Sequence, residues 1–451
     1  MELDIVGLVG ACSYALDCIE AELVHVTNRH GKRVAYISVC MAERLGIEGS
    51  ALQDLAICAM LHDNALTQYI SEEIQENNIS NISLGGSTQG DKNTVVEGGG
   101  MSNESEAIIS ENGMAYSPEI IKSIVGSIHK KIGLHCTYGE QNIKKLPFYT
   151  DVSGAVLYHH ENADGTGTFG KRWDEIPLFA RIIHLCDMVD VMGNSCDFSG
   201  ESWIRAKEYV CRNRNILFDS ECADAFLEVF SEENFVSMSQ DRFEDELWKK
   251  IPRDKRDCDF ETCKGIADFF AGIVDYKSEF TGKHSLGVAK KAAELAEYMG
   301  YSQADIEKFY MAGALHDIGK MAIGNEILEK PGRLTDEEFS RMKNHAGYTY
   351  MILSEVKDFD EVRDWAALHH EKLDGTGYPF GKKAEELNEP ERLMACVDIY
   401  QALTEARPYK SGMSHDKACS ILEDMVQKGW IDAAVTDKLR SCFEVGGRDM
   451  V

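Results

Sequence analysis

Cations are scarce in this chain. It carries 47 Lys and Arg against 76 Asp and Glu, a net charge of −29, which excludes a long nucleic acid such as DNA as its partner. A small anionic ligand stays compatible, provided that metals, Lys or Arg gather positive charge locally. No CxxC pair occurs among the 14 cysteines. They read as reduced thiols of the core, not as a disulfide framework. No run approaches 18 apolar residues, and the N-terminus lacks the basic start of a signal peptide, so a cytoplasmic protein with no membrane partner is expected. Alternating strand patterns are nearly absent too. That leaves an all-α fold.

What is present is helical periodicity over a length of 451 residues, too long for one core and suited to two domains of about 200 residues. Leu3, Val6, Val9 and Leu16 form one stripe, Val34, Ile37 and Met41 a second. A third run, Leu55 to Leu61, ends in His62-Asp63. Residues 77–105 are rich in Asn, Ser and Gly and read as a flexible insertion. Helical signal resumes at Pro118 and runs to Ile128. The charged stretch 231–256 reads as a linker between domains 1–250 and 251–451.

The densest chemistry lies in His369-His370-Glu371-Lys372-Leu373-Asp374-Gly375-Thr376-Gly377-Tyr378-Pro379. Two adjacent imidazoles run into a glycine turn that presents a tyrosine beside them. His159-His160-Glu161-Asn162-Ala163-Asp164-Gly165-Thr166-Gly167 echoes it. His284 precedes His316 by 32 residues, as His30 precedes His62, and an Asp follows each second histidine: Asp317 and Asp63. His345 precedes His369 by 24 residues, as His135 precedes His159. Asp398 and Asp187 close the two sets. Agreement of several independent spacings marks an internal duplication.

In the C-terminal half, His284, His316, Asp317, His345, His369, His370 and Asp398 are too many donors for a closed tetrahedral zinc site. They suit a centre of two divalent ions such as Fe or Mn, with Asp317 placed to bridge them and a metal-activated hydroxide as nucleophile towards a phosphoryl group. Lys320, four residues after His316 and so on one helical face, would balance charge developing on phosphate. Arg407 and Lys410 would add phosphate donors. His345 alone could equally be a core imidazole, and Arg407 and Lys410 alone could be surface charges; it is the joint pattern that points to metal. Glu371 and Asp374 read as groups that organise the turn.

With His316-Asp317-Ile318-Gly319-Lys320, Ile327-Leu328-Glu329-Lys330-Pro331-Gly332, His345, the His369–Pro379 stretch and Arg407-Pro408-Tyr409-Lys410 in view, residues 258–445 resemble an HD-GYP domain of the HD phosphohydrolase superfamily. The resemblance implies a helical bundle and a phosphodiesterase that opens cyclic di-GMP to pGpG or GMP in bacterial signalling. The alternatives are another nucleotide such as cyclic GMP-AMP, or a non-catalytic module that binds the dinucleotide and signals to a partner protein. It also implies that the seven side chains above hold the metals, that Asp317 and Lys320 serve catalysis, and that Lys320, Tyr378, Arg407 and Lys410 hold substrate. Three-metal members carry a Glu four residues before the first histidine. Phe280 stands there, so two metals are expected.

The N-terminal half resembles the same family in degenerate form, so two HD-type domains in tandem are expected. His30, His62, Asp63, His135, His159, His160 and Asp187 survive and allow a second metal centre. The substrate machinery does not: Leu66 replaces the Lys, Thr168 the Tyr, and Cys196-Asp197-Phe198-Ser199 the Arg-Pro-Tyr-Lys run. Lost cations and an added Asp197 disfavour an anionic ligand. This half reads as a metal- or redox-responsive regulator, a packing partner or an inert scaffold.

Overall fold

The structure, a computed structural model, describes residues 1–23, 29–65, 132–194, 197–240, 242–277, 284–328, 330, 332–406 and 411–445. The insertion expected over 77–105 and the helix expected over 118–128 lie outside them. Ten helices frame the sites: α1 (Ile5–Leu23), α2 (His30–Ala42), α3 (Ser50–Met60), α4 (Leu178–Asn194), α5 (Phe260–Lys277), α6 (His284–Tyr298), α7 (Gln303–Leu315), α8 (Asp336–Ser354), α9 (Asp360–Ala367) and α10 (Glu389–Thr404). The described residues are mostly helical, and their named strands are two residues long. β1 (Glu2–Leu3) and β2 (Arg256–Asp257) pair antiparallel, Glu2 opposite Asp257.

Contacts divide the chain into two compact units. One comprises Met1–Asn28, Ile143–Pro147 and Arg253–Val451, here the C-terminal unit; the N-terminal unit comprises Arg29–Asn142 and Phe148–Pro252. The division thus departs from the 250/251 boundary at the start of the chain. The reason lies in what covers α1. Ile5, Val6, Leu8, Val9, Ala11, Cys12 and Leu16 are all buried, so the helix needs apolar cover on several sides. It finds that cover against α8 and the turn Ile318–Ala322. The N-terminal ammonium donates to the Cys258 carbonyl at 2.8 Å, and Arg253 pairs with Asp4. The stretch 231–256 is not an extended linker either. Helices Glu232–Ser237 and Arg242–Lys250 occupy it, and Phe235, Phe243, Leu247 and Ile251 are buried.

Within the C-terminal unit α6 packs on α7 and α10, α5 lies on α7, and α8 packs on α9. Ser302 caps α7 by accepting the Asp305 N–H. Thr335 and Glu338 form a reciprocal capping box at the start of α8, and Asn388 with Glu391 does the same for α10. These caps satisfy orphan N–H groups at helix starts and fix where α8 and α10 begin. In the N-terminal unit α2 packs on α3 and α4.

Candidate metal centre

In the C-terminal unit the seven expected ligands come together from five places. His284 opens α6, and His316-Asp317 ends α7. His345 sits mid-way along α8, His369-His370 follow α9, and Asp398 lies on α10. Six of them are buried, and His370 is partly open. Their donor atoms form three overlapping groups, each within 4.8 Å: His284, His316 and Asp398; His316, Asp317 and His369; and His345, His369 and His370. Asp317 faces two ways, with Oδ2 3.1 Å from His316 Nε2 and Oδ1 3.4 Å from His345 Nε2. Asp398 Oδ1 lies 3.0 Å from His284 Nε2 and 3.7 Å from His316 Nε2. The adjacent rings of His369 and His370 stand 4.0 Å apart.

The hydrogen bonds behind the imidazoles decide which nitrogen faces the centre. Nδ1 of His316, His345 and His369 each lies 2.6–2.7 Å from the carbonyl oxygen three residues earlier, on Gly313, Met342 and Ala366. A carbonyl only accepts, so each Nδ1 carries the proton. Burial, then the neighbouring His370, holds His369 well below the ordinary imidazole range, and burial brings His345 down to about 3. Neutral rings with Nδ1–H turn an Nε2 lone pair inward. Nε2 of His316, His345 and His369 is buried and makes no hydrogen bond, and neither does Asp317 Oδ1. A buried acceptor left unpaired is costly, and four around one point are what a cation would satisfy. Burial alone would raise Asp317, but the adjoining His316 and the Lys320 ammonium hold it well below the usual carboxylate range. The residues fit metal.

Lys320 donates to Asp317 Oδ2 at 2.5 Å. It reaches the centre from the 3₁₀ turn Ile318–Ala322 and not from a continued helix, because α7 stops at Leu315. The turn is pinned to α8: Thr349 Oγ1 accepts the Gly319 N–H and donates to the His316 carbonyl. Gly319 is required, since a Cβ there would meet the His345 carbonyl oxygen at 2.0 Å. Tyr378 lies beside His370, ring centres 4.7 Å apart. Glu371 organises that turn, taking the N–H groups of Phe380, Gly381 and Lys382 on its two oxygens. Arg407, Lys410 and Phe280 lie outside the described residues.

The N-terminal unit repeats the arrangement. Asp63 Oδ1 accepts from His135 Nε2 at 2.8 Å and lies 3.5 Å from His159 Nε2, and its Oδ2 lies 3.5 Å from His62 Nε2. Asp187 Oδ1 is 3.4 Å from His30 Nε2. The His159 and His160 rings stand 4.0 Å apart. Glu161 receives the Phe169 and Lys171 N–H groups as Glu371 does in the other unit. Leu66 and Cys196 lie outside the described residues.

A family model described as the HD domain matches residues 127–212 and 268–435. The chain belongs to the HD-domain family. The second stretch holds all seven C-terminal candidates, and the first holds His135, His159, His160 and Asp187. The resemblance to HD-GYP proteins is thereby upheld. Among relatives of this HD chain, the 3′3′-cGAMP-specific phosphodiesterase 1 of Vibrio cholerae is 32% identical over 313 residues, 67% of this chain and 72% of its own length. A cyclic di-GMP phosphodiesterase of the same organism is 40% identical over 167 residues, 34% of either chain. The crystal structure of a cyclic GMP-AMP specific phosphodiesterase from V. cholerae shares the fold, with a TM-score of 0.63 over 99% of this chain and 98% of that one at 23% identity.

Several groups around the HD centre carry no motif. Glu405 accepts from His284 Nδ1 at 3.0 Å. Burial would lower His284, yet Asp398 and Glu405 together raise it to about 10. Asp275 on α5 accepts the Ser285 hydroxyl at 2.8 Å. Lys343 Nζ lies 5.7 Å from the Tyr378 ring centre and 4.8 Å from that of Phe339. Two residues before His345, it is a cation at the rim that no spacing singles out. No described helix is long and apolar enough to cross a membrane.

Proposed function

We propose that this HD chain is a metal-dependent phosphodiesterase for cyclic dinucleotides, with catalysis in a domain over 251–451 and a degenerate tandem copy over 1–250. The observation that carries the reading is the ring of unpaired, inward-facing donors around Asp317 with Lys320 beside it. His284, His316, Asp317, His345, His369, His370 and Asp398 would hold two divalent ions, Fe or Mn by their imidazole–carboxylate donors. Such ions supply Lewis acidity towards a phosphoryl oxygen and acidify water into a nucleophile.

The chain's own residues do the rest. Lys320, through Nζ, offers the charge that offsets negative charge gathering on the phosphoryl oxygens in the transition state. Its pairing with Asp317 holds that ammonium in position beforehand, which spares reorganisation during the reaction. Tyr378 offers a ring face for a base and a hydroxyl at the rim. Arg407 and Lys410 are assigned to the substrate phosphates on sequence alone.

Two substrates compete. The sequence reading favours cyclic di-GMP, but the cGAMP-specific relative matches along two thirds of this chain, the cyclic di-GMP relative along one third. That extent supports 3′3′-cyclic GMP-AMP as the first substrate. The test is turnover of both by anaerobically purified chain loaded with Mn or Fe, with products resolved by chromatography. A linear dinucleotide should form, faster from 3′3′-cyclic GMP-AMP. Asp317→Ala and Lys320→Ala should abolish or cripple turnover while Asp63→Ala leaves it. No product from either, with metal bound, sinks the reading.

A further inference from the structure

We propose that Glu405 is the positioning residue of the candidate centre: it holds His284, and it joins that ligand to the segment assigned to the substrate phosphates. For its substrate side the inference rests on the activity proposed above. His316, His345 and His369 are each held through Nδ1 by the carbonyl three residues earlier. His284 is the first residue of α6, so no preceding turn of helix supplies such a carbonyl, and a side chain has to take its place. Nδ1 donates to Glu405 Oε2 at 3.0 Å, while Nε2 lies 3.0 Å from Asp398 Oδ1 on the inner side. Deprotonated at Nε2 to face a cation, the ring keeps its Nδ1–H on Glu405.

In the N-terminal unit the equivalent partner sits one turn earlier. His30 likewise opens α2, and its Nδ1 donates to Asp190 Oδ2 at 2.7 Å. Asp190 is fully buried three residues after Asp187, and Arg33, three residues after His30, matches its charge with bonds of 2.6 and 2.9 Å. By the same spacings the counterparts in the C-terminal unit are Gln401 and Gly287. A Cβ on Gly287 would meet Gln401 Nε2 at 2.1 Å, so the amide lies where the glycine leaves room for it. Without a cation at 287, a carboxylate at 401 would be a buried charge lacking its arginine, and the neutral amide avoids that cost. The acceptor comes from the next turn instead. Seven residues after the last Asp of each set the N-terminal unit has Asn194 and the C-terminal unit Glu405, whose side chain keeps 11% of its surface open. Three positions differ together, and the histidine keeps a carboxylate in both.

Glu405 follows α10 directly and stands two residues before Arg407. The chain returns to the same helix end at Met413, whose N–H donates to the Leu403 carbonyl at 2.9 Å, with Gly412 against the Thr404 carbonyl. The stretch that carries Arg407 and Lys410 is therefore anchored at both ends beside the acceptor of a metal-type histidine. Asp190, inside its helix and locked by Arg33, offers no such link.

The test is Mn retained by the full chain, read by elemental analysis after dialysis against graded chelator, together with kinetics at saturating Mn. Glu405→Ala should weaken retention about 10- to 100-fold and raise KM for 3′3′-cyclic GMP-AMP roughly fivefold or more. Glu405→Gln, close in shape, keeps an uncharged acceptor and should fall between. Glu405→Ala/Gln401→Asp returns a carboxylate to the place that Asp190 occupies; it should recover most of the Mn retention and leave KM raised. Retention unchanged in Glu405→Ala, or unrecovered in the double variant, refutes the hold on His284. Recovery of KM along with Mn refutes the link to the phosphate segment. No turnover of either dinucleotide by wild type would sink the proposed activity, while Mn retention still decides the role of Glu405.

Discussion

Asp275 shows how a single buried acid sets a pH dependence. Burial raises its carboxyl from the ordinary 3.8 to about 7, against the hydrogen bond from Ser285. Its Oδ2 is buried without a partner, so the neutral acid is the form the fold favours. With the folded value above the unfolded one, this contribution is intact below pH 3.8 and is lost as the pH rises towards 7. The slope is at most about 1.4 kcal/mol per pH unit for one group. Asparagine keeps the acceptor for Ser285 and removes the titration. In chelator-treated protein, Asp275→Asn should flatten the stability profile between pH 4 and 7 and unfold at higher urea than wild type at pH 8. Equal slopes for the two proteins would show that this carboxyl titrates normally. Spacing along the chain shows none of this, because Asp275 belongs to no motif. Glu405, Asp190 and Lys343 were hidden for the same reason. That the candidate donors would converge was legible, since metal chemistry restricts residue type and the repeat printed each spacing twice.

Between elements, the contact that matters most is α8 against the turn that carries Lys320. Thr349 is fully buried and closes that contact by taking the Gly319 N–H and giving its own hydrogen to the His316 carbonyl. Thr349→Val keeps the volume and deletes both bonds, leaving a buried N–H and a carbonyl unsatisfied. The expected loss is on the order of 2–3 kcal/mol. Because the same turn positions Lys320 and Asp317, kcat should fall while metal content holds. A stability loss without a fall in kcat would mean that the turn is positioned by other contacts. At this scale the sequence was partly readable. Periodicity marked α1, α2 and α3 as amphipathic or buried, and caps such as Thr335 and Asn388 are local. Periodicity names an apolar face but not what covers it, so the cover that α8 and the Ile318–Ala322 turn give α1 was not readable. It also left the short helices of 231–256 looking like a charged linker. Lys320 was expected on the helix of His316; the helix instead stops at Leu315 and a 3₁₀ turn carries Lys320, with Gly319 packed against the His345 carbonyl too closely for any side chain.

For the whole molecule, charge decides how a substrate arrives. A net charge of −29 surrounds a site proposed to accept a cyclic dinucleotide with two phosphates. The cations that favour binding are local: Lys320 is paired to Asp317, and the carboxylates of Asp317 and Asp398 would offset half the charge of two divalent ions, leaving a small local excess inside a strongly negative molecule. At low salt the long-range field is therefore repulsive, with a screening length of about 30 Å at 0.01 M and about 8 Å at 0.15 M. Added salt shortens the reach of the repulsion before it weakens contacts made within the site. We predict that kcat/KM for the cyclic dinucleotide rises between 10 and 150 mM salt at constant metal loading, roughly two- to tenfold, the reverse of a positively steered enzyme. The rise should lie in kcat/KM and not in kcat, because screening acts on encounter. Inert salts of different anions at equal ionic strength must give the same rise, which separates screening from competition by the anion. A fall in kcat/KM over this range would mean that Arg407, Lys410 and Lys343 build a positive field extending beyond the site, strong enough to outweigh the rest of the surface.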